Sequence, residues 1–114
     1  MFQKLPKTDL ARILGRQALR SGTSVAANYR ASCRSKSRAD FISKLGTAVE
    51  EADETVFWLE LLDESGVVPT AKLEPLKKEG EELLRILSRS LTTAKRGLQK
   101  FMTLKAFMSF MLTH

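Results

Sequence analysis

Apolar and small residues recur along the chain at steps of three and four, the spacing that lines one side of an α-helix. From Asp9 onward, Leu10, Ile13, Leu14, Ala18, Ser21, Val25 and Tyr29 predict a first helix over about residues 8–31. Its middle, Ser21-Gly22-Thr23-Ser24-Val25-Ala26-Ala27, is built of small side chains, which let a neighbouring helix cross at short range. Ser32-Cys33-Arg34-Ser35-Lys36-Ser37 has the composition of a turn. Ser37 with Asp40 three residues on resembles a capping box with the shorter acid. A second helix over residues 38–65 carries Phe41, Leu45, Ala48, Ala52, Val56 and Leu59 on one stripe. Ile42, Val49, Phe57, Trp58, Leu61 and Leu62 widen that stripe beyond what a one-sided helix needs. This helix is therefore expected at the centre of a bundle or under a second copy of the chain. Gly66 supplies its stop, and Val67-Val68-Pro69 a short link.

Thr70 stands where a third helix needs its N-cap, and Leu73, Leu76, Gly80, Leu83, Leu87, Leu91 and Ala94 keep register over residues 70–96. Lys77, Lys78, Glu81, Glu82, Arg85 and Arg89 form the opposite, solvent-facing side. Gly97 is expected to end the run. Residues 98–112 are apolar nearly all round, yet too short for the roughly 20 residues that cross a bilayer. They are expected to form a fourth helix that fills a groove, with attachment to a membrane surface as the alternative. The whole pattern predicts one all-α domain over residues 1–114, an antiparallel up-and-down four-helix bundle.

Composition narrows the chemistry. At 43% hydrophobic and 28% charged residues, the 114-residue chain is neither disordered nor membrane-spanning in character. Cys33 is its only cysteine, so no internal disulfide forms, and a free thiol fits a reducing cytoplasm. The start, Met1-Phe2-Gln3-Lys4-Leu5-Pro6-Lys7, lacks the apolar stretch of a secretory leader. The acidic group Glu50, Glu51, Asp53 and Glu54 invites comparison with di-metal carboxylate bundles. Those sites also need histidines from neighbouring helices, and the single histidine here is the last residue, His114. Gly22-Thr23-Ser24-Val25-Ala26 is a near miss to a nucleophile elbow, without the strand or the histidine base. No metal, cofactor or catalytic activity is expected.

Charge changes the picture most. The total is +6, but it is segregated: +8 over residues 1–38, −7 over residues 39–66, +3 over residues 67–96, and two further lysines, Lys100 and Lys105. Arg12, Arg16 and Arg20 are spaced by four, and Arg30, Arg34 and Arg38 repeat that spacing eighteen residues later, or five helical turns. With Lys36, Lys95 and Arg96 they make the candidate nucleic-acid surface, since arginine's planar fork suits bidentate phosphate contact. The alternative is that these arginines pair with the acidic second helix, within the chain or across subunits, and build a scaffold for a protein partner. Tyr29 is the only aromatic residue beside them, so base stacking has little support.

Three ordered blocks carry a family resemblance. They are Arg20-Ser21-Gly22-Thr23-Ser24-Val25-Ala26-Ala27-Asn28-Tyr29-Arg30-Ala31, then Asp40-Phe41-Ile42-Ser43-Lys44-Leu45, then Glu51-Ala52-Asp53-Glu54-Thr55-Val56-Phe57-Trp58-Leu59-Glu60-Leu61-Leu62. Together they resemble the 23S rRNA-intervening sequence protein family of small bacterial four-helix bundles, from about Leu5 to Lys95. The resemblance implies an antiparallel four-helix bundle and a ring-shaped homopentamer with no catalytic activity. It also implies packing roles for Ser21, Gly22, Ser24, Asn28, Tyr29, Phe41, Leu45, Glu54, Trp58 and Leu62. Relatives that assist diversity-generating retroelements are basic pentamers that engage nucleic acid and a reverse transcriptase. Family members carry a helix of about twenty residues before the stretch matching Leu5-Pro6-Lys7, so the three helices matched here correspond to the family's second, third and fourth. The apolar tail departs from the family pattern and is expected to stand in for that first helix.

Overall fold

The computed structural model describes residues 7–113, and among them the chain forms three helices and no strand. These are α1 (Lys7–Cys33), α2 (Arg38–Ser65) and α3 (Thr70–Thr113). Residues 1–6, with the stretch searched for a leader and Leu5-Pro6 of the family resemblance, lie outside the described residues, as does His114.

The two corners follow from local chemistry. Ser37 adopts extended backbone (φ −144°, ψ 159°), and its hydroxyl accepts the Asp40 N–H at 3.1 Å, satisfying one of the free donors that open α2. At the other end Gly66 sits at φ 73°, where its N–H reaches the Asp63 carbonyl at 3.1 Å. That left-handed conformation favours glycine, which has no Cβ to strain. Thr70 does not act as the expected cap. It is the first residue of α3, and its hydroxyl donates to Asp63 Oδ1 at 2.6 Å. Lys77 Nζ, expected on the solvent face, reaches Asp63 Oδ2 at 3.2 Å. The corner is thus tied by one carboxylate with two donors.

This tie shifts both ionisable partners. The hydrogen bond from Thr70, and then that from Lys77, holds the Asp63 carboxyl below the ordinary value of 3.8, while the hydrogen bond to Asp63 raises the Lys77 ammonium. The Asp63 contribution is present above the unfolded carboxyl value and lost as pH falls through the lowered folded one. The Lys77 contribution is present below the unfolded amine value and lost as pH rises through the raised folded one. Thr70→Val removes the leading cause. The Asp63 titration midpoint, followed by carboxyl NMR, is expected to move up toward 3.8, and an unmoved midpoint would refute the assignment.

α2 is the central helix, as its wide apolar stripe predicts, and it packs against both α1 and α3, which approach each other far less closely. One core cluster joins Leu10 and Leu14 of α1 to Leu59 and Leu62 of α2 and Leu73 of α3. A second joins Val25 to Leu45, Ala48, Ala52 and Leu87. Each buried leucine or valine contributes about 1.5–3 kcal/mol of transfer free energy. Small residues do bring α1 and α2 together, but through Ser21, Ala48 and Ala52 rather than Gly22. A Cβ on Gly22 would meet nothing within 4 Å.

The fourth helix is where the structure departs from expectation. Gly97 does not end α3, which runs 44 residues without interruption, and Gly66 is the only positive-φ residue among those described. A mid-helix glycine costs about 1 kcal/mol relative to alanine, and the good helix formers Ala94, Lys95, Arg96, Leu98, Gln99 and Lys100 on either side outweigh it. Residues 98–113 therefore continue α3 past the bundle and give the molecule extents of 71 × 24 × 20 Å. A groove stays open between α1 and α3, with a volume of about 400 Å³. No described helix is long and apolar enough to cross a membrane.

Candidate nucleic-acid interface

The structure divides the nine predicted cations into two groups. Arg12, Arg16 and Arg20 climb one side of α1, and all three are exposed. Arg12 makes a surface pair with Asp9 one turn earlier (3.3 Å), worth only a few tenths of a kcal/mol. Arg20 is committed to α2. Its Nη2 donates to Glu54 Oε1, and its Nη1 lies 3.6 Å from Glu51 Oε2, a buried oxygen with no hydrogen bond of its own. Arg20 thus pairs with the acidic second helix within the chain, while Arg16 makes no ion pair among the described residues.

The other cations gather at one end of the bundle. The Ser32 hydroxyl donates to the Tyr29 carbonyl (2.6 Å) and Ser35 to the Ala31 carbonyl (3.2 Å). The Arg34 and Ser35 N–H groups return to Ala31 and Ser32. These bonds close the last turn of α1 and set Arg30, Arg34 and Lys36 around the corner, all exposed. Arg38 opens α2, and α3 passes beside it. Arg38 Nη1 would lie 3.5 Å from a Cβ on Gly97, and its guanidinium carbon is 5.8 Å from the centre of the Phe101 ring. Arg38, Phe41 and Ile42 share a shallow pocket with Thr93, Ala94 and Gly97. Lys95 and Arg96 are thereby carried to the same end.

Electrostatics there are one-sided. Asp40 is the only acid between residues 10 and 49, and no acid follows Glu82. Arg30, Arg34, Lys36, Lys95 and Arg96 make no ion pair among the described residues. The amino end of α2, 28 residues long, adds the partial positive charge of its unpaired N–H groups. Exposed cations at one end of a bundle can hold phosphates along a backbone but carry no base-reading pattern. With an antiparallel reversal near Ser32–Ser37 the second arginine trio belongs at the turn, and in the structure Arg30 lies in the last turn of α1, Arg34 in the connection and Arg38 at the start of α2.

The residues quoted for the family resemblance occupy structural positions. Ser21, Leu45 and Leu62 are buried. Asn28 Nδ2 donates to the Ser24 carbonyl at 2.9 Å and to its hydroxyl at 3.2 Å. Glu54 accepts from Arg20 and from Trp58 Nε1 (3.2 Å), and Trp58 meets Phe57 edge-on at 5.1 Å. Gly22, Tyr29 and Phe41 line the open α1–α3 groove instead. Sequence reasoning missed that groove because its α3 wall, Leu83, Ile86 and Ser90, reads as ordinary helix periodicity.

Comparison with known proteins agrees with this architecture. A solved structure described as a protein of unknown function from the S23 ribosomal protein family of Bacteroides thetaiotaomicron VPI-5482 is 39% identical. The match covers 70% of this chain and 71% of that one, with a TM-score of 0.67. No curated protein matches. The family model of the 23S rRNA-intervening sequence proteins matches residues 1–89, and the chain belongs to that family.

Proposed function

We propose that this chain is a non-enzymatic, self-associating helical protein of the cytoplasm that binds RNA or DNA through phosphate contacts at the α1–α2 corner. One observation carries the reading: Arg30, Arg34, Lys36, Lys95 and Arg96 are exposed and make no ion pair among the described residues, whereas Arg20 is paired with Glu51 and Glu54. The family's link to intervening sequences of 23S rRNA favours RNA as the partner. Titration of a labelled RNA hairpin and a DNA duplex at several salt concentrations tests it. Five phosphate contacts predict log–log slopes of about −4.5 for duplex DNA and about −3.5 for single strands, with little dependence on base sequence. A flat slope, or no binding at 50 mM salt, overturns the reading. The second reading, a protein-interaction scaffold without nucleic-acid affinity, is favoured by the Arg20 pairs alone.

A further inference from the structure

α3 changes character where it leaves the bundle. Leu104, Phe107, Met108, Met111 and Leu112 each expose more than half of their surface. At 100° per residue, the large apolar side chains of residues 104–112 cover an arc of about 200°, and Lys105, Ser109 and Thr113 take the other side. A helix that packs on one protein face needs an apolar stripe of about 100°. This tip is apolar over twice that width, the pattern of a helix enclosed by an apolar medium. Charge stops short of it. No acid follows Glu82, and the cations Lys95, Arg96, Lys100 and Lys105 precede a run, residues 106–113, that holds no charged side chain.

We propose that the tip of α3 seats in the surface of an anionic lipid bilayer. No described helix is long and apolar enough to cross a membrane, so the tip enters from one side. Residues 106–113 make about 12 Å of helix, which fits within the ~15 Å of hydrocarbon in one leaflet. Lys105 then lies at the boundary, its stem against the acyl chains and its ammonium among the headgroups. Lys100 is about 8 Å further out, within the distance over which an anionic surface attracts a cation. The bundle does not stand in the way. α3 carries the tip clear of it on a molecule 71 Å long, so a surface is met without any opening of the fold.

The same features weigh against a protein groove as the occupant. The chain's own α1–α3 groove is out of reach, because α3 has no break at Gly97 and leads the tip away from it. A second copy's groove would cover one side of the tip only. Arg30 and Arg34, next in sequence to its lining residues Tyr29 and Cys33, would also set like charge against Lys100 and Lys105. An anionic bilayer supplies both the enclosing apolar medium and the opposite charge. This inference stands on the tail and not on nucleic-acid binding, and Lys100 and Lys105 lie outside the cations assigned to the corner.

Flotation of the full chain, free of nucleic acid, with phosphatidylcholine vesicles that do or do not contain a third of phosphatidylglycerol tests it. Binding to the anionic vesicles is expected to be about tenfold or more the tighter. Phe107→Ser with Met111→Ser is expected to weaken it about a hundredfold, since two large apolar side chains leave the hydrocarbon. Lys100→Gln with Lys105→Gln is expected to weaken it about tenfold on anionic vesicles and hardly at all on neutral ones. Leu19→Ser, which removes a 68% exposed apolar side chain from α1, is expected to leave it unchanged. A fluorophore on Met111→Cys, in a Cys33→Ser background, is expected to be quenched by iodide in solution and to lose that quenching when anionic vesicles are added. The proposal is overturned by a chain that does not float, by equal flotation with neutral vesicles, or by flotation indifferent to the Phe107 and Met111 pair. A loss as large in Leu19→Ser overturns it too. So does a fluorophore that iodide cannot reach before lipid is added, which would assign the tail to a protein groove.

Discussion

Arg34→Glu, Lys36→Glu, Lys95→Glu and Arg96→Glu combined in one chain are expected to abolish measurable nucleic-acid binding at 150 mM salt and to leave helicity intact. All four side chains are exposed and none is in an ion pair among the described residues, so the described fold loses no ion-pair partner when they are reversed. Each phosphate contact removed lowers the salt slope by about one, and each glutamate adds repulsion, so the affinity loss is about a thousandfold or more. Arg20→Gln is the informative contrast. Its guanidinium is occupied by Glu51 and Glu54, so nucleic-acid affinity is expected to stay within about twofold. Melting temperature is expected to fall slightly, because buried Glu51 Oε2 loses the guanidinium 3.6 Å from it. Filter binding with circular dichroism on both variants decides the matter. Unchanged affinity in the quadruple variant would move phosphate contact to Arg12 and Arg16 or remove it altogether.

The helices themselves were legible because their signals are local. Ser37 and Gly66 bound α2 through side-chain capping and a left-handed backbone, both written in single residues. The wide stripe of α2 correctly marks a helix covered on two sides, since width reports how many neighbours a helix has. Gly97 shows the limit of the same logic. A glycine at the end of a periodic run looks like a stop, but whether it stops the helix depends on the propensity of the residues beyond it. Leu98, Gln99, Lys100 and the apolar tail are all competent helix formers. Thr70 misleads in another way: a hydroxyl at a helix start satisfies whichever donor or acceptor is nearest, and here that is Asp63.

The candidate interface was half legible. Charge segregation identifies the basic third of the chain, and spacing identifies Arg30, Arg34 and Arg38. That Lys95 and Arg96 lie level with Arg38 is a long-range fact, set by the antiparallel run of α3 along α2 and by the short link at residues 67–69. Pairing of Arg20 is also tertiary. Arginines four residues apart look equivalent along a stripe, yet each step of four advances about 40° around the helix. By Arg20 the stripe has rotated toward α2 and its carboxylates, while Arg16 still faces water.

Ser21→Leu is expected to destabilise the fold by about 3 kcal/mol, lowering the melting temperature by roughly 10–20 °C. Ser21 is fully buried at the α1–α2 contact, facing Thr55, with Ala48 fully buried and Ala52 nearly so further along α2. A leucine there must push two helices apart or force its neighbours off their preferred rotamers. Hydrogen bonding is a smaller part of the cost. The two hydroxyls carry one proton each: Ser21 donates to the Gln17 carbonyl at 3.0 Å, and Thr55 has both Ser21 Oγ at 2.9 Å and the Glu51 carbonyl at 2.8 Å as acceptors. Ser21→Ala leaves Thr55 its carbonyl partner and keeps the volume, so it is expected to cost about 1 kcal/mol or less. Gly22→Ala, one residue away but bordering the open groove, meets nothing within 4 Å and gains helix propensity, so it is expected to be neutral or stabilising. Thermal melts of the three variants separate size from polarity as the reason for small residues in this segment. Equal losses for alanine and leucine at position 21 would show that the hydroxyl, and not the closeness of the helices, is what the core requires.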